Sequence, residues 1–389
     1  MGYLVFIFWA GIGLLIYTYF IYPVILIFST KFISQRLSDV SESNVLPKVS
    51  FVIAAYNEEK VIASKIKNCL RLEYPEELLD IWVASDGSSD KTNDIVKSFT
   101  EGDKRIHLLE FPRTGKSGVI NKTMALVKNE VVVFSDANTE YAADAVRNLV
   151  RHFRDPRVGC VCGRLIYRNP GEVVSGKGES FYWRYETALK KMESKLGYVA
   201  GANGAIYAVR KELFKPLPPR TINDDFTISM RIVEKGYRCI YEENAIAYED
   251  VSPTVKGEFR RHIRDGAGHY LAMRYLIKLL NPFLGIRAFI YWSHRVVRWI
   301  APFIMIFLVI INLLLINHFF YKITCLLQAG FYLLAIAGFI NIESKRMPFF
   351  IYVPFYFCNL NLALLLGFFK VLTGKQKITW ESTDRVSNF

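Results

Sequence analysis

Residues 3–28, YLVFIFWAGIGLLIYTYFIYPVILIF, carry no charged side chain. Lipid offers a backbone no hydrogen-bond partner, so a crossing segment must be a helix of about 20 apolar residues. This stretch is long enough. A cleaved secretory signal would place basic residues before a shorter apolar core, and no Lys or Arg precedes this run. Residues 1–30 are therefore predicted to be a retained membrane anchor.

Three further apolar runs follow, at about 299–317, 323–341 and 349–369, while about 45–275 has the composition of a soluble domain. The segment 276–295 holds Lys278, Pro282, Arg287, His294 and Arg295 and reads as interfacial rather than spanning. Helices in 296–370 and a basic tail, 371–389, complete the expected organisation.

The net charge of +13 raises nucleic acid as a partner. Its distribution argues against one. Lys31, Arg36, Lys278, Arg287, Arg295, Arg298, Lys345, Arg346, Lys370, Lys375 and Lys377 crowd the membrane edges, where they suit anionic lipid head groups. Lys31 and Arg36 follow the first apolar run, so the positive-inside rule places the soluble domain in the cytosol. The same rule makes Lys345 and Arg346 cytosolic, and simple counting then puts the basic tail outside. One element must be miscounted. The run 349–369, with Pro354, Asn359 and Asn361, is the candidate for a re-entrant or bundle-buried stretch. The six cysteines are scattered, and Cys160 and Cys162 are too close for the usual zinc pair. All six read as reduced.

Within the soluble domain, strands are predicted at 49–55, 80–85, 105–110, 130–135 and 158–167. Helices are predicted after YNEE (Asn57 as N-cap), after Asp90, near 118–128 and over 142–154. Such alternation implies a mostly parallel sheet with helices on both faces, and ligands bind beyond the carboxyl ends of its strands. The polar clusters sit there: YNEE after the first strand, SDGSSD after the second and SDANTEY after the fourth.

Each cluster has two readings when taken alone. Asp86 can accept from a nucleotide's base or ribose, or belong to an ordinary turn. Asp136 and Asn138, two apart at a strand end, can meet one Mg2+ or Mn2+ together with substrate phosphates, or form an Asx turn. GKSG is not a P-loop, since Glu110 stands where the leading glycine is required. Lys116 and the loop amides can still meet a diphosphate. Asp224 and Asp225 can supply a general base or cap a helix, and local sequence favours the cap. Arg261 and Arg264 share a helix face and can clamp a departing phosphate or line a lipid interface.

Taken in order, AAYNEE (54–59), SDGSSD (85–90), GKSGVIN (115–121), SDANTEY (135–141), GANGAIYAVRKELF (201–214), NDD (223–225) and EKGYR (234–238) resemble the family 2 inverting glycosyltransferases. The match runs from about 47 to 275. The flanking apolar runs and the tail ITWESTDR (378–385) are similar to the membrane-bound branch of cellulose, hyaluronan and poly-N-acetylglucosamine synthases.

The resemblance implies an α/β domain of GT-A type, and a donor that is a nucleotide sugar, usually linked to UDP. It also implies a lipid-linked or polysaccharide acceptor, a bacterial plasma membrane location, and partners in a polysaccharide synthesis or export complex. Asp86 would bind the base. Asp136, with Asn138, would hold the metal. Asp225 would be the catalytic base, with Asp224 beside it. Ala55, Tyr56, Asn57, Glu58, Lys116, Asn121, Gly201, Asn203, Arg261 and Arg264 would contact substrates.

One departure stands out. The branch carries Gln-x-x-Arg-Trp after the base, whereas this chain has Arg261, His262, Ile263, Arg264 and Asp265. The missing Trp, which helps form the acceptor site in those synthases, favours addition of one or few sugars over processive polymerisation. The competing readings are a non-catalytic scaffold or nucleotide-sugar sensor, and a nucleotidyltransferase.

Overall fold

The computed structural model describes residues 1–32, 45–168, 174–250, 255–341 and 347–376. A continuous apolar helix, α1 (Gly2–Phe32), leads the chain. The soluble domain follows as β1 (Val49–Ala55), α2 (Ile62–Leu70), β2 (Leu79–Asp86), α3 (Thr92–Gly102), β3 (Ile106–Phe111), α4 (Lys116–Leu126), β4 (Val131–Asp136), β5 (Glu140–Tyr141), α5 (Ala145–Val150), β6 (Val158–Arg168), α6 (Val174–Lys195), β7 (Tyr207–Arg210), α7 (Asp224–Glu234), β8 (Arg238–Asp250) and α8 (Val255–Tyr275). Then come α9 (Ile286–Leu314), α10 (Phe319–Ile340) and α11 (Phe349–Leu372).

The eight strands form one sheet in the order β3-β2-β1-β4-β7-β6-β8-β5. β1, β2, β3 and β4 pair in parallel, as the apolar runs predict, and β7 runs antiparallel between β4 and β6. β1 is buried along its whole length because both of its faces are covered. Phe51 and Ile53 face a core shared with Ile62 and Ile66 of α2 and Leu149 of α5. Val52 faces the other core, with Ile120 of α4, Phe226 of α7 and Trp299 of α9. The second core thus joins the sheet to an apolar helix that lies outside the soluble domain in sequence.

Asn57 does not cap α2. Glu58 closes a turn by accepting from the Val61 and Ile62 amides, and the helix starts at Ile62. Asn57 lies before that turn in the left-handed region (φ 52), which Asn tolerates.

Among the described residues, four helices are long and apolar enough to cross a membrane: α1, α9, α10 and α11. Large apolar side chains such as Phe6, Phe20, Leu326 and Leu327 stand exposed on α1 and α10, as lipid contact requires. α9 begins at Ile286, inside the segment read as interfacial. Its first turns pack into the soluble domain, where Arg287 Nη1 donates to the Val233 and Glu234 carbonyls. α11 is one uninterrupted helix through Pro354. A re-entrant break there is therefore corrected: only one hydrogen bond is lost at Pro354, and packing against neighbours offsets it. Arg36, Lys345, Arg346, Lys377 and the ITWESTDR tail lie outside the described residues.

Candidate active site

The Asp86 side chain closes β2 and is fully buried. Its Oδ1 accepts from the Thr114 amide at 2.6 Å and the Gly115 amide at 3.1 Å, and Oδ2 takes Arg113 Nη1 at 3.1 Å. Gly115 has φ 84, a left-handed turn that glycine adopts without cost, and this aims its amide at the carboxylate. The Arg113 guanidinium lies over the Tyr56 ring. Asp86, Tyr56 and Arg113 therefore form one polar and aromatic corner beyond the strand ends. Ala55, last in β1, sits beside Ser85 of β2 and brings Tyr56 there.

Asn57 and Glu58 tie two loops together. The Asn57 amide donates to Ser88 Oγ, and its Oδ1 accepts from the Ser89 amide; the Glu58 amide donates to Thr92 Oγ1. Asp90 is not the N-cap of α3, which is Lys91, but its Oδ1 accepts from the Thr92 amide and so holds the start of the helix.

One strand over, Lys116 starts α4 and Asp136 ends β4. Lys116 Nζ donates to Asp136 Oδ1 at 2.8 Å and lies 3.4 Å from Asp224 Oδ1. Burial alone would lower this ammonium, but the carboxylates of Asp136 and Asp224 outweigh it and hold it above its usual value. Asp224 and Asp225 open α7 but neither is its N-cap, which is Asn223. The capping reading is thus corrected. Asp224 is buried, with Oδ2 lacking a hydrogen-bond partner among the described residues. Asp225 is partly exposed. Burial, then the neighbouring Asp224 carboxylate, pushes the Asp225 carboxyl up to about 7 against the pull of Lys116. A small cavity lined by Ala54, Lys116, Ser135, Gly204 and Asp224 adjoins the cluster.

No group of three or more His, Cys, Asp or Glu side chains converges as a metal cage among the described residues. The residues nevertheless fit Mg2+ or Mn2+, which take one or two carboxylates and complete their shell with phosphates and water. Asp136 already binds a cation, the Lys116 ammonium. The Asn138 amide nitrogen donates to Glu249 Oε1 at 2.9 Å, which leaves its oxygen as the ligand atom.

The loop carrying Gly201 and Asn203 borders Asp225: a Cβ on Gly204 would stand 3.3 Å from Asp225 Oδ2. Asn203 is buried. Its Oδ1 accepts from Lys190 Nζ, and its Nδ2 donates to the Gly163 carbonyl. Asn121 clasps the backbone of Leu217 with both amide atoms. Both amides thus hold the chain around the site. Arg261 and Arg264 lie on α8, which docks on the start of α7: Asn223 Nδ2 donates to the Asp265 carbonyl. Arg264 Nη2 lies 3.4 Å from Asp265 Oδ1.

Two residues of the site escape sequence reasoning. Arg113 shows no signal, because its place depends on how the β3–α4 loop folds back onto Asp86. Lys65 does leave one: it shares the apolar stripe of Ile62, Ile66 and Cys69. It is buried, and its ammonium donates to Ser135 Oγ and the Thr139 carbonyl, both at 2.7 Å, beneath the turn that carries Asp136 and Asn138. Burial lowers it to about 8.

Residues 50–217 match the model of Glycosyl transferase family 2. Over 193 residues the chain is 30% identical to a beta-monoglucosyldiacylglycerol synthase of Trichormus variabilis, covering 48% of this chain and only 41% of that protein's length. Over 371 residues it is 26% identical to a poly-beta-1,6-N-acetyl-D-glucosamine synthase of Staphylococcus epidermidis, covering 89% of each. The solved mannosyltransferase PcManGT from Pyrobaculum calidifontis, in complex with GDP-Man and Mn2+, superposes with a TM-score of 0.68 at 20% identity, over 95% of this chain and 99% of that one. That likeness is one of fold, the GT-A fold.

Proposed function

We propose that this chain, whose residues 50–217 match the model of Glycosyl transferase family 2, moves a sugar from a UDP-linked donor to a lipid-linked or growing polysaccharide acceptor at the cytosolic membrane face, inverting the anomeric carbon. The observation that carries this reading is Asp225: a partly exposed carboxylate, raised to about 7, beside the Asp136–Lys116–Asp224 cluster at the ends of parallel strands.

Asp225 takes the proton from the acceptor hydroxyl as that oxygen attacks the anomeric carbon opposite the leaving group. Lys116 sits where a diphosphate would arrive and offers it a fixed cation. The amides of the loop opening α4, with the helix start behind them, add donors for phosphate oxygens. Asp136 and Asn138 would hold a Mg2+ or Mn2+ ion, which would supply further positive charge for the leaving diphosphate. Arg261 and Arg264 belong to the helix that roofs the base and serve the same developing charge. Asp86 accepts from the imide N–H of the base while Tyr56 offers its ring. Asp265, where polymer synthases of this kind carry Trp, favours the addition of one or few sugars. We assign the protein to a bacterial plasma membrane, a reading supported by its apolar helices and by its similarity to bacterial synthases.

The test is nucleotide release by the purified full chain with Mn2+, using UDP-glucose and UDP-N-acetylglucosamine as donors, and diacylglycerol vesicles or a β-1,6-linked N-acetylglucosamine oligomer as acceptors. Acceptor-stimulated UDP release with a β-linked product is expected. A folded Asp225→Asn protein that transfers at the wild-type rate would sink the assignment.

A further inference from the structure

We propose that a buried ionic network built on α9 positions the Val199–Ala205 loop against the catalytic carboxylate, so that side chains of an apolar, membrane-type helix govern acceptor transfer. The proposal rests on Asp225 being the base.

Glu186 and Glu193 of α6 are both buried, as is His294 of α9. His294 lies between them: Nδ1 is 2.6 Å from Glu193 Oε1, and Nε2 is 3.0 Å from Glu186 Oε2. Arg298 Nη1 donates to Glu186 Oε1 at 2.6 Å, and the Tyr22 hydroxyl of α1 donates to Glu193 Oε1 at 2.7 Å. Ionised groups in such a place are costly unless paired, and on membrane-type helices they usually mark function. A seam that only glued helices together could be apolar.

This network instead aims two hydrogen bonds at one residue of the loop. Glu193 Oε2 accepts from the Ala200 amide at 2.9 Å, and Arg295 Nε donates to the Ala200 carbonyl at 2.8 Å. Both backbone polar atoms of Ala200 are thereby held. Gly201 then turns at φ 101 and packs so closely on Phe226 that a Cβ would stand 2.4 Å from its ring. Phe226 is the residue after Asp225, and the Arg295 guanidinium lies 5.7 Å from its ring centroid. Three residues on, Gly204 meets Asp225 itself. The path runs from α9 through Ala200 to the wall of the base.

Arg295 and Glu193 are therefore positioning residues: they touch the loop, not the reacting atoms. The test uses the full chain in lipid nanodiscs, with Arg295→Met, Arg295→Lys and Glu193→Gln, and Asp225→Asn as reference. Hydrogen exchange of the 199–205 amides, read without substrates, should speed up about tenfold or more in Arg295→Met. Acceptor transfer should fall about 10- to 100-fold, the usual cost of displacing a reacting group by an ångström. UDP affinity should stay within about twofold of wild type, because the Asp86 corner is untouched. Arg295→Lys, which keeps a cation and a donor, should recover much of the loss.

A folded Arg295→Met protein with unchanged exchange in 199–205 overturns the proposal, as does parallel loss of UDP affinity and transfer. If Arg295→Met does not fold, Glu193→Gln is judged by the same readouts, and failure of both to fold also overturns it, since a network required for folding is not a positioning device. Activity in Asp225→Asn would instead refute the base, while the exchange result still judges the network.

Discussion

Asp225 carries the sharpest consequences at the scale of single residues. A base must be ionised to work, and this carboxyl is pushed up to about 7 by burial and then by Asp224. kcat/KM should therefore rise with pH through about 7 and level off above it. The same shift means that the folded state holds this proton more tightly than the unfolded chain. Its contribution to stability is thus greatest below the ordinary Asp range and is lost as pH rises toward 7. Asp225→Asn should cost transfer about 10²–10⁴-fold, the range for a lost general base, while UDP affinity persists. Lys116 pulls Asp225 downward. Lys116→Met should therefore move the pH inflection above 7 and raise the donor KM; an inflection that stays in place would show that the two groups are not coupled. Asp86 and Asp136 were legible as candidates because each closes a strand that the apolar runs predict; Asp225 opens a helix, and only the resemblance singled it out. Arg113 was not legible, because nothing local records that the loop after β3 folds back on Asp86. Lys65 was legible in principle, as a charge in an apolar stripe that only a buried polar partner could justify.

At the scale of elements, the parallel half of the sheet could be read because each strand is a short apolar run buried on both faces. The half built from β6, β7 and β8 could not. Its order depends on pairings between distant segments, such as Cys160 with Val209 and Cys162 with Tyr241, which leave no local periodicity. Asn57 misled as a cap because Glu58, not Asn57, closes the turn before α2. The loops around the base rest on two devices that mutation can probe. Asn121 satisfies both polar atoms of the Leu217 backbone. Asn121→Ala strands them and should cost about 1–3 kcal/mol, seen as a lower Tm. Gly201→Ala meets both a left-handed backbone and the Phe226 ring. It should lower transfer along with stability, because relief of the clash must move either the loop or the helix that carries Asp225. A Gly201→Ala protein with wild-type Tm and rate would show that this close approach is not needed.

At the scale of the whole molecule, the contacts bear on how many of the four apolar helices cross. Met1 lies beside His318, and Phe8 packs with Leu308, Ile311 and Tyr321, so the α9–α10 turn shares an end with the start of α1. The other end is the domain side, where Thr18 Oγ1 donates to the Ser293 carbonyl and Tyr22 meets Glu193. α1, α9 and α10 each run from one end to the other. α11 keeps a different course. Near its start, Phe355 packs on Gly338 in the last turns of α10, and Phe357 meets Tyr19. Near its finish, Gly367 presses on Ile263 and Ala267 of α8, and Phe368 stacks edge-on with Tyr270. Both ends of α11 therefore lie against domain-side elements. A helix long enough to cross that is held this way should lie along the interface, leaving three crossings, not four. That count removes the conflict between charge and parity, because it returns Lys370 and Lys375 to the side of the soluble domain. Single cysteines at Lys375, Lys104 and His318, treated with a membrane-impermeant maleimide in sealed vesicles of known orientation, test it. Lys375→Cys should label from the same side as Lys104→Cys, on the surface of the soluble domain, and from the side opposite His318→Cys. Labelling together with His318→Cys would mean that α11 crosses, and the positive charge at its end would then need another explanation.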